Sequence, residues 1–150
     1  QLELLERAAL LHDVGKIGIE LDTLSSPMQL SAEEVRLIRR HPVLGSELVS
    51  DVEFLADIVP VIRHHHERYD GAGYPDGLAG VDIPLLARLM AVADSYDAMT
   101  SNRAYRPAMT EEQALVEIER VAGTQLDHTM ASQFAEMLAV SQEEAMPHEA

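Results

Sequence analysis

Apolar positions in this chain recur with helical spacing, and polar breaks divide them into blocks. Leu2, Leu5, Ala9 and His12 share one stripe, which Leu4, Ala8 and Leu11 widen. Gly15 and Gly18 interrupt it, and Ser25, Ser26 and Pro27 mark a loop. Ser31 begins the next helix, with Glu34 completing a capping box. That helix ends near His41, because Pro42 disfavours helical geometry in the residue before it. Pro42 is itself well placed to open the following helix, through about Val49. Phe54 to Glu67 is again helical in pattern, and Pro60 either kinks it or begins a shorter helix.

Leu85 to Ser101 is the most apolar helix, with Leu86, Leu89, Met90, Ala93 and Asp97 along one side. Thr110 and Gln113 form a second capping box, on a helix that Gly123 stops. Asp127 caps a last helix, expected through about Val140, and residues 141–150 read as an acidic, frayed tail. The pattern offers no strand and no internal repeat. The predicted fold is all-α, with about six or seven helices. Residues 69–84 are the main irregular stretch, with four glycines and two prolines. A loop of this length in a compact domain is functional or disordered, and Tyr69 and Tyr74 favour the functional alternative.

Composition sets the outer bounds. A chain of 150 residues, 47% of them hydrophobic, is long enough for one domain with a core. It has no cysteine, which excludes disulfides and thiolate metal sites and fits a reducing, cytoplasmic setting. No apolar run approaches the ~20 residues of a membrane span. The net charge of −15 argues against binding duplex nucleic acid. An anionic ligand would need local help from metals and from Arg103 and Arg106.

The chemistry concentrates in a few positions. His12 and Asp13 sit side by side, with Lys16 one helical turn later. His41, the run His64-His65-His66-Glu67, and Asp94 follow on other helices. Neutral imidazole with carboxylate suits a divalent ion of intermediate hardness, such as iron, manganese or zinc. A helical bundle builds such a site from facing helices. Consecutive helical residues point about 100° apart, so His12 with Asp13, and His65 with His66, diverge. That implies two metals, or one ligand beside one supporting residue. Each histidine alone reads as an ordinary surface or core residue, but jointly the bland readings require several coincidences.

The same residues resemble the HD-GYP family, a branch of the HD phosphohydrolases. His12-Asp13-Val14-Gly15-Lys16-Ile17-Gly18-Ile19 is similar to its HD signature, and Arg40-His41-Pro42 to its next histidine element. His65-His66-Glu67-Arg68 leads into Asp70-Gly71-Ala72-Gly73-Tyr74-Pro75-Asp76-Gly77, which resembles the GYP element. Ala93 to Ser101, Arg103 to Arg106 and Gly123 to Asp127 resemble further blocks. The resemblance runs from about Leu5 to Leu138, and an HD-GYP domain is assigned to residues 1–140.

The resemblance implies an HD-type bundle, two or three divalent metals (iron or manganese, with zinc as the alternative) and hydrolysis of cyclic di-GMP to linear pGpG or GMP. It implies His12, Asp13, His41, His65, His66 and Asp94 as metal ligands, with Asp13 bridging. Lys16 would hold a phosphate oxygen or the attacking water. Gly73 and Tyr74 would line the substrate site, and Arg103 and Arg106 would contact phosphates or guanines. It also implies an upstream receiver or sensory domain and a possible homodimer. Family members carry a further ligand-bearing helix ahead of the HD pair, so this chain reads as N-terminally truncated. The rival readings are a non-catalytic cyclic-dinucleotide receptor, an HD phosphohydrolase with another nucleotide substrate, and a helical dimerisation module.

Overall fold

The structure is a computed structural model that describes residues 1–19, 31–102 and 107–145, the last five by backbone alone. The helices among these residues are α1 (Leu2–Leu11), α2 (Ala32–Ile38), α3 (His41–Ser50), α4 (Val59–His64), α5 (Leu85–Thr100), α6 (Glu111–Val121) and α7 (His128–Ala145). Short 3-10 turns cover Val14–Gly18, Glu53–Ile58 and Gly80–Asp82. Among the described residues the only β feature is an isolated bridge between Ala122 and Leu126. The expected loop around Ser25–Pro27, Arg103, Arg106 and residues 146–150 lie outside the described residues.

The local signals act as expected where they are self-contained. Ser31 Oγ accepts from Glu34 N, and the Glu34 carboxylate accepts from Ser31 N at 2.7 Å. Thr110 and Gln113 form the same reciprocal pair at the start of α6. Asp127 caps α7 by accepting from Met130 N at 3.2 Å. Gly123 follows α6 with φ +81, the left-handed geometry that suits glycine.

Three expectations are corrected. Phe54–Glu67 is not one helix: a 3-10 turn over Glu53–Ile58 precedes α4. Pro60 lies in the first turn of α4, where its missing N–H costs nothing, so it begins a shorter helix. The last helix continues past Val140 to Ala145. The single stripe expected on α5 is also wrong, because Ala93 and Asp97 are exposed while Ala87, Met90, Val92 and Met99 are buried.

The reason is that α5 lies between two cores. Ala8, Val49, Ile58, Val61, Ile62 and Met90 form one cluster. Val92, Met99, Ala114, Ile118, Leu126 and Ala131 form the other. A helix packed on two sides buries two faces, and one-sided periodicity fades. The turn after α1 packs directly onto α3. A Cβ on Gly15 would stand 2.0 Å from the His41 carbonyl oxygen and 2.5 Å from Gly45 N, so only glycine lets these segments approach.

Candidate metal centre and substrate loop

Three imidazoles reach the centre by the same local device. His12, His41 and His65 each follow a helix, and each aims Nδ1 at the carbonyl three residues back. The partners are Ala9, Ile38 and Ile62, each at 2.7 Å. A carbonyl only accepts, so Nδ1 carries the proton and Nε2 keeps a lone pair. Metal-ligating histidines are oriented this way.

The Nε2 atoms converge. His41 Nε2 lies 3.3 Å from His65 Nε2 and 3.2 Å from Asp13 Oδ1. His12 Nε2 lies 3.4 Å from Asp13 Oδ2 and 3.8 Å from Asp94 Oδ1. The His65 and His66 ring centroids are 4.1 Å apart. Two overlapping triads result, His41-His65-His66 and His12-Asp13-His65, each with ligand atoms within 4.8 Å of one another. A small cavity of about 50 Å³ is lined in part by His65, His66, Asp94 and Ser95.

This donor set fits a divalent cation. Acceptor atoms face acceptor atoms at 3.2–3.3 Å with no proton assigned between them. Asp13 Oδ1 is buried and makes no aligned hydrogen bond. Orphaned buried acceptors are costly unless a cation or proton joins them.

The electrostatics match. Burial alone would raise the Asp13 pKa, but contacts with His12, His41 and Lys16 hold it far below the usual carboxylate range. Burial, then the neighbouring His66, lowers His65 to about 2. Burial, then His41, lowers His66 to about 4. Both rings are therefore neutral, the form that binds metal. His12 is raised instead, chiefly by Asp13. Lys16 Nζ donates to Asp13 Oδ2 at 2.6 Å.

The glycine-rich segment is an ordered flap beside this centre. Tyr69 N and Asp70 N donate to the carbonyls of Gln125 and Thr124 at 3.1 and 2.8 Å, which ties the flap to the Gly123–Asp127 segment. Arg68 pairs with both oxygens of Asp70, at 3.0 and 2.6 Å. Gly73 packs so closely that a Cβ would sit 2.2 Å from Arg68 N. Tyr74 N donates to the His66 carbonyl, and its ring lies 4.9 Å from the His66 ring. The Tyr74–Pro75 peptide bond is cis. Burial raises the Tyr74 pKa to about 12, so its hydroxyl keeps its proton.

Sequence reasoning missed two residues here. Glu67 is 3% exposed, and its Oε1 accepts from Asp76 N at 2.7 Å and Gly77 N at 3.1 Å. It thereby fastens the flap beside the His66 ring. Its place directly after the histidine run was the available signal. His64 is largely buried, with Nδ1 3.6 Å from Asp76 Oδ2. Arg39 is the second omission: its guanidinium stands over the Tyr74 ring, 5.1 Å from the centroid. Nothing in the local sequence around Arg39 signals this contact.

The structure thus brings His12, Asp13, Lys16, His41, His65, His66, Asp94, Gly73 and Tyr74 to one place. No helix among the described residues is long and apolar enough to cross a membrane.

A helical scaffold that gathers histidines and aspartates around one internal point is the architecture of HD domains, and the HD domain family model matches residues 1–130. The chain belongs to that family. It is 43% identical over 129 residues to the cyclic di-GMP phosphodiesterase response regulator RpfG of Xanthomonas campestris, covering 85% of this chain and 34% of the relative. It is 46% identical over 109 residues to the cyclic di-GMP phosphodiesterase PA4108 of Pseudomonas aeruginosa, covering 72% of this chain and 26% of the relative. The chain therefore spans about a third or less of the curated relatives it matches. The fold is shared with the crystal structure of a cyclic GMP-AMP specific phosphodiesterase of V. cholerae. That match has a TM-score of 0.66 at 19% identity and covers 93% of this chain and 38% of that one.

Proposed function

We propose that this chain is the catalytic part of a metal-dependent phosphodiesterase that hydrolyses cyclic di-GMP to linear pGpG or GMP. The observation that carries the reading is the convergence of the His12, His41 and His65 Nε2 atoms and the Asp13 carboxylate on one point. The activities named for the relatives supply the substrate.

His12, Asp13, His41, His65, His66 and Asp94 are the ligands in this reading, and two or three divalent ions, iron or manganese before zinc, are the complement. An imidazole with Nδ1 committed to a carbonyl offers a single lone pair, so none of the three can bridge. Asp13 can: Oδ1 faces His41 and Oδ2 faces His12. When bound, such ions lower the pKa of coordinated water and polarise a phosphoryl oxygen.

The chain's own groups do the rest. Lys16, already held by Asp13, has further N–H donors for a phosphate oxygen as negative charge develops. The Tyr74 hydroxyl is a neutral donor at the rim of the centre. The flap sets Tyr74 against the His66 side of the site. Arg103 and Arg106 are proposed to contact phosphates or guanines. A cytoplasmic protein, regulated through an attached receiver or sensory domain, completes the reading.

The test is turnover of cyclic di-GMP by the purified protein with Mn²⁺ or Fe²⁺, before and after chelation. Linear pGpG or GMP should form only with metal. Absence of product with every metal would refute the reading.

A further inference from the structure

Basic side chains are scarce in this acidic chain, and most of those described are already engaged. Lys16 pairs with Asp13, Arg36 with Glu33, Arg63 with Asp76, Arg68 with Asp70, Arg88 with Asp127 and Arg120 with Glu117. Arg7 donates to the Phe54 carbonyl at 2.8 Å. Among the described residues, that leaves Arg39 and Arg40 as the arginines held by no carboxylate or carbonyl.

Arg39 is distinguished from Arg40 by position. It caps the C-terminal end of α2, two residues before His41. Its guanidinium rests over the Tyr74 ring at 5.1 Å, and that ring lies 4.9 Å from the His66 ring. The cation is thus one aromatic ring away from the histidine cluster, with its hydrogen-bonding edge free. Stacking on an aromatic face orients a guanidinium without using its five N–H donors. A phosphate, with paired oxygens, is the ligand that a guanidinium fork recognises best.

We propose that Arg39 is a substrate-binding residue whose guanidinium, stacked on Tyr74, takes a phosphate oxygen of the phosphodiester ligand. The inference rests on the phosphodiesterase reading and adds a subsite that the HD and GYP motifs do not include. It places the cation at the C-terminal end of α2, against the same Tyr74 ring that the His66 ring contacts.

The test combines binding and kinetics. Cyclic di-GMP, cyclic di-AMP and 3′3′-cyclic GMP-AMP are titrated calorimetrically into metal-free protein, where turnover cannot interfere. KM and kcat for cyclic di-GMP are then measured with metal. Arg39→Ala should weaken binding and raise KM by about ten-fold or more, the usual effect of losing one charged hydrogen bond, and change kcat less. Arg39→Lys, which keeps the charge but not the fork, should recover part of the loss. A purely structural role would lower the melting temperature and kcat while leaving affinity intact. Wild-type affinity and KM in Arg39→Ala overturn the inference alone. Absence of cyclic di-GMP turnover by the metal-loaded wild-type protein overturns it together with the phosphodiesterase reading.

Discussion

His41 Nε2 stands 3.2 Å from Asp13 Oδ1, while Nδ1 of the same ring donates to the Ile38 carbonyl. The ring's one proton is committed on the far side, so a lone pair faces a carboxylate. Such a pair holds together in a buried site when a cation lies between its members. His65 repeats the arrangement through the Ile62 carbonyl, and His12 through that of Ala9.

The same geometry fixes how stability responds to acid in the metal-free protein. His65 is lowered to about 2 and His66 to about 4, from 6.5. Between about pH 6.5 and 4 the unfolded chain therefore binds more protons than the folded one, and stability falls as pH drops. His12 works in the opposite sense. Its raised pKa contributes stability that is fully present below pH 6.5 and lost as pH rises through its folded value. Asp13, strongly depressed, keeps its contribution until the pH falls below the ordinary carboxylate range. Two lowered imidazoles outweigh one raised. The melting temperature of chelated protein should decline from pH 7 to 4.5, and His66→Gln should flatten the decline. A melting temperature that climbs on acidification would contradict this assignment.

Gly15→Ala tests the joint between the HD turn and α3. The new methyl would stand 2.0 Å from the His41 carbonyl oxygen, a backbone atom that cannot rotate away. Separating the segments should cost about 3 kcal/mol and displace Asp13 relative to His41. Thermal unfolding reads the first effect and metal affinity the second. Gly18→Ala is the control, because its Cβ would meet only Leu44 Cδ1 at 3.7 Å. Equal stability of the two variants would remove the argument.

Glu67 offers a separate test of the flap. Its Oε1 holds two backbone N–H groups of Asp76 and Gly77, with the residue 3% exposed. Glu67→Ala strands both donors and should cost about 2 kcal/mol. Freed from this anchor, Tyr74 should also be less well placed, so KM for cyclic di-GMP should rise. Glu67→Gln keeps an acceptor oxygen and should be milder in both measurements. If alanine and glutamine behave alike, the acceptor role is wrong.

How much of this was legible depends on range. The capping boxes Ser31–Glu34 and Thr110–Gln113 were readable because their partners lie three residues apart. Pro42 and Gly123 acted as punctuation for the same local reason. The candidate ligand types were readable too, since His12, Asp13, His41, His65, His66 and Asp94 suit one chemistry, and the motif order narrowed it to one family. Convergence itself was not readable. Nor was the sandwiching of α5 between two cores, which moved the buried positions to Val92 and Met99 and left Ala93 and Asp97 exposed. Arg39 and Tyr74 meet across 35 positions of chain, and nothing local in either segment signals the contact. The end of α7 also differs from the pattern: the helix reaches Ala145 where composition predicted fraying from residue 141.

The most direct test of the central claim is the divalent metal content of the purified protein, measured by elemental analysis after equilibration with Mn²⁺, Fe²⁺ or Zn²⁺ and removal of free ion. At least one tightly held ion per chain is expected in the wild type. Asp13→Asn should lose affinity by more than the roughly 10–100-fold typical of a supporting residue. A wild-type protein that emerges metal-free, or an Asp13→Asn protein that holds metal as firmly as the wild type, would contradict the account.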